Sequence, residues 1–238
     1  MGYLADVNYW RVDELFMNIL PQAIHIDDHQ RQALKTLFLA DMSVEFDAKN
    51  LYDFLHVNHL VSEELEAFLK PWLYEELKHA DAFRRILSLT HALDEVELLA
   101  GLHQRTADFS AFENLLEDEF KFCVLMAYDE CSTTIAYRKD TFYKKLGPIE
   151  FVKWHKLVIE DEARHLKNAV RLIHYKHANR LKETKKVLEE IIAMEQIAPP
   201  YNGTFVFDRD DDSPNNQPTF EELKIGCVSR VQRLILAA

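Results

Sequence analysis

Hydrophobic positions along the chain recur at helical spacing. From about residue 30 to 57 one face collects Phe38, Glu45, Ala48, Tyr52 and Leu55. A break follows at "VNHLVSEEL", where Ser62 suits an N-cap and Glu63 and Glu64 suit the positive start of a helix. The next face runs Leu65, Leu69, Trp72, Glu76, His79, Phe83, Ile86, in alternating steps of four and three, as a buried helical stripe does. Residues 92–106 read as a shorter helix or connector. A third long helix is predicted over about 110–143, with Leu116, Cys123, Met126, Glu130, Thr133 and Tyr137 on one face. In "KKLGPIEF", Gly147 suits a left-handed helix end and Pro148 the first turn of a new helix. The fourth stripe is Phe151, Trp154, Val158, Glu162, His165, Ala169, Leu172, followed by a basic helical stretch to about residue 197.

Residues 198–218, "APPYNGTFVFDRDDDSPNNQP", read as an acidic loop or extended wrap. A closing helix follows, with Thr219 and Glu222 as a capping box. No strand pattern competes over any long stretch. Short turns between the first and second long helices, and between the third and fourth, imply antiparallel neighbours. The expectation is an all-α chain: a single domain over 1–238, a four-helix bundle core at about 30–175, and a C-terminal loop and helix extension at 198–238.

Charged residues inside these apolar stripes need an explanation. Two stripes carry a Glu-x-x-His, Glu76 with His79 and Glu162 with His165; the other two carry a lone glutamate, Glu45 and Glu130. With 22 glutamates and 11 histidines in 238 residues, about one Glu-x-x-His is expected by chance. Position is more informative than count. Glu45 and Glu76 straddle the break near residue 60, and Glu130 and Glu162 straddle Gly147-Pro148, so each pair sits at matching height on two antiparallel helices. The halves repeat at offsets of 85, 86 and 86 residues: 45 to 130, 76 to 162, 79 to 165.

Four carboxylates and two imidazoles converging in a bundle make the ligand set of a di-iron or di-manganese site. Unpaired carboxylates in an apolar interior cost many kcal/mol, whereas two divalent cations balance four of them. Oxygen-rich ligation with one histidine per ion suits iron or manganese better than zinc. Glu75 and Asp161, each four residues before a histidine, are placed to accept the imidazole N–H of the histidine in the opposite half. Tyr52 and Tyr137 read as core aromatics and Glu119 as solvated at the bundle end.

Composition narrows the alternatives. A net charge of −12 disfavours nucleic acid as a partner, and five scattered glycines leave no phosphate-cradling loop. No apolar run approaches 18 residues, and "MGYLADVNYW" has neither signal-peptide regions nor, with Asp6, a myristoylation pattern. Cys123, Cys131 and Cys227 lack metal spacing and read as reduced thiols of a cytoplasmic protein. The basic run Arg164, Lys167, Arg171, Lys176, Arg180, Lys182, Lys185 and Lys186 is either a docking face for an acidic carrier protein or a solvated helix face.

Together these residues resemble the ferritin-like di-iron oxidases and oxygenases. Within that superfamily "WLYEELKHAD" resembles the W-x-x-E-E-x-R/K-H-x-D stretch of the soluble acyl-carrier-protein desaturases. "DECSTTIAYRK" is similar to their E-x-x-T segment and "EDEARHLKN" to their D-E-x-R-H motif. The resemblance covers about residues 38–175 and implies a ferritin-like fold, two iron ions per chain (a manganese–iron or di-manganese pair being the variant), and an oxygen-dependent oxidase of the desaturase type. It implies Glu45, Glu76, His79, Glu130, Glu162 and His165 as ligands, Asp161 in an electron-transfer hydrogen-bond network through His79, and Thr133 on the oxygen-binding side. Compatible partners are a small apolar substrate, free or carrier-bound, an electron donor such as a ferredoxin, and a second copy in a homodimer. The chain is shorter than the plant desaturases, and the same ligands serve hydroxylases, N-oxygenases and oxidative lyases. Iron storage or peroxide detoxification is the alternative from another class.

Overall fold

The computed structural model describes residues 2–59, 61–197 and 220–237, and these are helical, with no strand among them. In chain order the helices are α1 (Val12–Phe16), α2 (Asp28–Asn58), α3 (Glu63–His91), α4 (Glu95–His103), α5 (Glu113–Leu116), α6 (Glu119–Lys139), α7 (Ile149–Lys176), α8 (Thr184–Ile197), α9 (Phe220–Leu223) and α10 (Ser229–Leu236). The expected loop at 198–218 and the Thr219 cap lie outside the described residues.

The helix ends follow local chemistry. Asp27 caps α2 through the N–H of His29, and Ser62 caps α3 through that of Leu65 at 3.2 Å. Gly147 takes φ +102, which side chains rarely tolerate, and turns the chain into α7. Pro148 is the residue before the first turn of α7 and not within it. The third long helix is shorter than predicted. Asp118 accepts from the N–H groups of Phe120 and Lys121 and starts a new helix there, leaving 110–116 as a separate pair of short turns. Pro71 lies inside α3, where it removes one backbone donor.

α2 packs along α3 and α6 along α7, and the two pairs join through α3 and α7. α8 lies on α6, and α10 touches α6, α7 and α8. The apolar core divides in two. One part holds Leu51, Leu55, Leu65, Leu69, Trp72, Cys123 and Leu172; the other holds Phe38, Met42, Phe83, Ile86, Trp154 and Val158. Where the two parts meet, the glutamates and histidines of the repeated pattern form a buried polar layer.

The N-terminal segment was not anticipated by periodicity. It lies across α3 and α7, held by hydrogen bonds from Tyr3 Oη to Asn168 O (2.8 Å), Asp6 N to Asn168 Oδ1 (3.1 Å), Asn168 Nδ2 to Asp6 O (2.8 Å) and Lys78 Nζ to Asn8 O (3.0 Å). Glu119, expected to be solvated, is instead half-buried against Lys176 (2.8 Å) and His177 (3.2 Å). Burial would raise its carboxyl, but those two partners outweigh it and draw it down to about 2. Among the described residues no helix is long and apolar enough to cross a membrane.

Candidate metal centre

The six residues of the repeated pattern meet at the centre of the polar layer. Glu45, Glu76, His79 and Glu162 each bring one ligand atom within 4.8 Å of the others, and so do Glu76, Glu130, Glu162 and His165. Glu76 and Glu162 are common to both groups, and all six side chains are buried. These buried groups could hold metal ions, with the two shared carboxylates between the positions and Glu45 and Glu130 at the outer ends.

The orientation of the polar atoms is compatible with bound cations. Nδ1 of His79 faces Glu45 at 3.4 Å, Glu76 at 3.6 Å and Glu162 at 3.3 Å, yet bonds to none of them. Oε1 of Glu76 and Oε1 of Glu162 are likewise buried without a hydrogen-bond partner. His165 Nδ1 faces Glu76 (2.9 Å) and, unlike that of His79, hydrogen-bonds Glu130 (3.3 Å) and Glu162 (3.2 Å). On both imidazoles the other nitrogen is engaged outside the cluster: Nε2 of His79 with Asp161 at 3.2 Å, and Nε2 of His165 with Glu75 at 3.0 Å. A carboxylate at Nε2 fixes the proton there and turns the Nδ1 lone pair inward, as a metal ligand requires.

The charges make the same point. Burial is the largest influence on each of the four carboxyls and pushes each one up. Glu45, with the charge of Glu76 beside it, and Glu130, with those of Glu162 and Glu76, stay well above the carboxylate range. In Glu76 and Glu162 the histidines outweigh burial and hold the group low. Burial would neutralise the imidazoles, but Asp161 and Glu162 raise His79, and Glu130 and Glu76 raise His165. The bare residues therefore balance their charge with protons, and divalent cations would release them.

A second layer holds the first. Glu75 accepts from Asn8 N (2.7 Å), Arg164 (2.8 Å) and His165. Asp161 accepts from Trp10 Nε1 (2.7 Å), Lys78 (3.1 Å), Asn8 Nδ2 (3.2 Å), His79 and Arg164. Two cations thus neutralise two buried carboxylates, and the outlying N-terminal segment closes the network. The Trp10 ring stacks on His79 at 6.2 Å, and the Lys78 ammonium sits 4.4 Å from its centroid. The outer glutamates have aromatic donors: Trp72 Nε1 to Glu130 (2.8 Å) and Tyr137 Oη to Glu45 (2.7 Å).

A cavity of about 40 Å³ opens onto the cluster between α2 and α6, lined by Val44, Ala48, Trp72, Asp129, Thr133 and the four central glutamates. Neither histidine lines it.

Comparison with protein-family models, with curated proteins and with solved structures returned no match. The reading of the site rests on its own geometry.

The structure brings all six expected ligands together, sets Glu75 and Asp161 on opposite histidines, and puts Thr133 at the cavity. Tyr52 lies away from the cluster and donates to Glu66 at 2.8 Å. Tyr137 packs on the core and also donates to Glu45, one of the expected ligands. Trp10, Asn8 and Lys78 were missed; the one signal was an indole in a polar leader, too weak to act on. The basic run behaves mainly as a paired helix face: Arg164 turns inward, Lys167 and Arg171 meet Asp6, Lys176 meets Glu64 and Glu119, and Arg180 meets Asp118.

Proposed function

We propose that the chain is a ferritin-like four-helix di-iron protein and an oxygen-dependent oxidase of the acyl-carrier-protein desaturase type. The observation that supports this most is the convergence of two carboxylate–imidazole groups sharing Glu76 and Glu162. The donor set, rich in oxygen with one imidazole per ion, suits iron or manganese. A pair of ferrous ions bound there would supply electrons to dioxygen, whose reduction provides the oxidising power for hydrogen removal.

The chain's own residues have separable roles in this reading. Glu45, Glu76 and His79 with Glu162 hold one ion; Glu130 and His165 with the shared glutamates hold the other. Asp161 and Glu75 fix the imidazole protons on Nε2. Trp10, bonded to Asp161 and stacked on His79, would provide a hydrogen-bonded path between the half-buried indole and the His79 imidazole along which an external donor could reduce a bound metal. Thr133 presents a hydroxyl-bearing side chain at the cavity where dioxygen enters, and the apolar walls above and below keep bulk water out.

The cavity's size favours a second reading beside the first. About 40 Å³ accommodates dioxygen or a few waters, and an acyl chain would need the walls to open further. A small free substrate, hydroxylated, N-oxygenated or cleaved on the same centre, fits that volume better. Anaerobic iron(II) loading followed by an oxygen pulse tests the proposal. Rapid oxygen uptake by the loaded chain, lost in Glu76→Ala, is expected. Uptake that persists in Glu76→Ala would reject the site. Mass spectrometry of acyl-carrier and small-metabolite pools after the pulse separates the two substrate readings.

A further inference from the structure

Four carboxylates outside the metal cluster are buried among the described residues, and three of them have a cation. Asp47 is held by Arg105 (2.8 Å), Glu75 by Arg164 (2.8 Å) and Asp161 by Lys78 (3.1 Å). The fourth, Asp140, is 8 % exposed and makes no ion pair among the described residues. Its one partner is the N–H of Phe142, which donates to Oδ1 at 3.0 Å. A buried carboxylate left without a cation needs an explanation. Asp140 follows the end of α6, about 15 Å along that helix from Glu130, and lines a separate cavity of about 140 Å³. Leu34 and Leu146 are buried beside it, Ile26 and Phe142 are half-buried, and His25 and Lys145 stand exposed at the rim. One wall is the turn between α6 and α7; the other is the chain leading into α2. The two walls are fastened together. His25 N donates to Leu146 O at 2.9 Å, and Gly147 lies so close that a Cβ there would meet Ala23 O at 2.7 Å.

The chemistry of the lining narrows the occupant. Asp140 is the one acidic residue on these walls, and a single carboxylate offers too few ligands for a divalent ion. An organic ammonium needs only one. Lys145, at the opposite edge, also makes no ion pair among the described residues, with Asp140 or with any other carboxylate. Two opposite charges that share a cavity without meeting suit a molecule that carries both. The buried part of the wall is apolar, which suits a short aliphatic side chain, and the volume excludes a large one. We propose that this cavity binds a small aliphatic α-amino acid, its ammonium on Asp140, its carboxylate on Lys145 and its side chain against Leu34, Phe142 and Leu146. An ammonium arriving at Asp140 favours the ionised carboxyl, which burial alone disfavours. The site is independent of the di-iron reading, since none of the six clustered residues lines this cavity.

The test titrates the full chain at about pH 7.5, where ammonium and carboxylate probes are both charged, and follows the amide NMR signals of Thr141 and Phe142. L-norvaline carries both charges, n-butylamine only the ammonium, and butyrate only the carboxylate. L-norvaline should shift these signals saturably with a Kd of about 1 mM, the scale expected for so few atoms. Butylamine and butyrate should each bind about tenfold more weakly, because each lacks one charged contact. Asp140→Asn keeps the shape of the side chain and should weaken L-norvaline about tenfold. Its unfolding midpoint, no lower than that of the wild type, shows that the lost binding is not lost folding. Lys145→Met, at an exposed position, should weaken L-norvaline as well, and Lys144→Met, outside the cavity, should leave it unchanged. No saturable shift with L-norvaline up to about 20 mM would overturn the proposal. So would wild-type affinity in Asp140→Asn or Lys145→Met, or butylamine or butyrate binding as tightly as L-norvaline.

Discussion

Replacing Asp161 by asparagine tests whether the second layer holds the first. The side chain keeps its shape but loses the charge that faces Trp10, Lys78, His79, Asn8 and Arg164 at the distances given above, and its new amide must point a donor at one of them. Lys78 would be left buried with only Glu75, 3.6 Å away, as a carboxylate partner. Hydrogen bonds to a charged group are worth about 1.5–3 kcal/mol each, and removing one member of a buried ion pair costs about 3–5 kcal/mol. The contacts share one carboxylate, so they do not add, and about 3–5 kcal/mol is the whole expected loss. For a chain of this length that is about 10 °C in the unfolding midpoint. Metal affinity should fall about 10–100-fold in the half built on His79, while the half built on His165, oriented by Glu75, keeps its affinity. Calorimetry of the metal-free protein reads the first effect and anaerobic titration with cobalt(II) or iron(II) the second. A variant that melts with the wild type and binds both ions equally tightly would refute the argument.

Trp10→Phe keeps the ring on His79 but removes the donor to Asp161. It should cost about 1 kcal/mol and slow reduction of the oxidised centre by an external donor, with two-ion binding intact; unchanged reduction kinetics would count against the route. Asp140, raised by burial to about 7, gives a pH signature. Its folded value lies above an unfolded value of about 3.9, so its stabilisation is complete below pH 4 and lost as pH rises through 7. Asp140→Asn preserves the bond from Phe142 N and should gain stability over the wild type between pH 4 and 8; a pH-independent difference in midpoint would contradict this. Gly147→Ala places a Cβ 2.7 Å from Ala23 O at φ +102 and should cost about 1–3 kcal/mol, read by urea unfolding; a neutral result would mean the turn relaxes freely.

The six clustered residues were legible because three regularities coincided at them. Glu76 and Glu162 fall on apolar stripes, each has a histidine three residues on, and each mirrors a glutamate across a recognisable turn at Ser62 or Gly147. Helical geometry converts those spacings into position without tertiary information. The N-terminal segment offers no such periodicity. Trp10 reaches Asp161 across 151 positions of sequence, through a single indole N–H that no local pattern encodes. The fate of Arg164 was hidden for the same reason: its spacing from Asp161 is visible, but its turn toward Glu75 depends on how α3 and α7 pack. The break before α6 was readable in principle, since Asp118 followed by Glu119 is an N-terminal signature, but the continuing apolar stripe masked it. Glu119 was misjudged because its partners, Lys176 and His177, lie on another helix.

In the proposed reading the buried layer holds two ions through the shared carboxylates Glu76 and Glu162. Anaerobic titration of the full chain with iron(II), with bound metal measured after separation from free metal, tests this. Saturation is expected near two ions per chain, near one for His165→Ala, and with loss of both for Glu76→Ala, since that carboxylate belongs to both groups. Wild-type saturation near zero, or a Glu76→Ala chain that still takes up two, would contradict it.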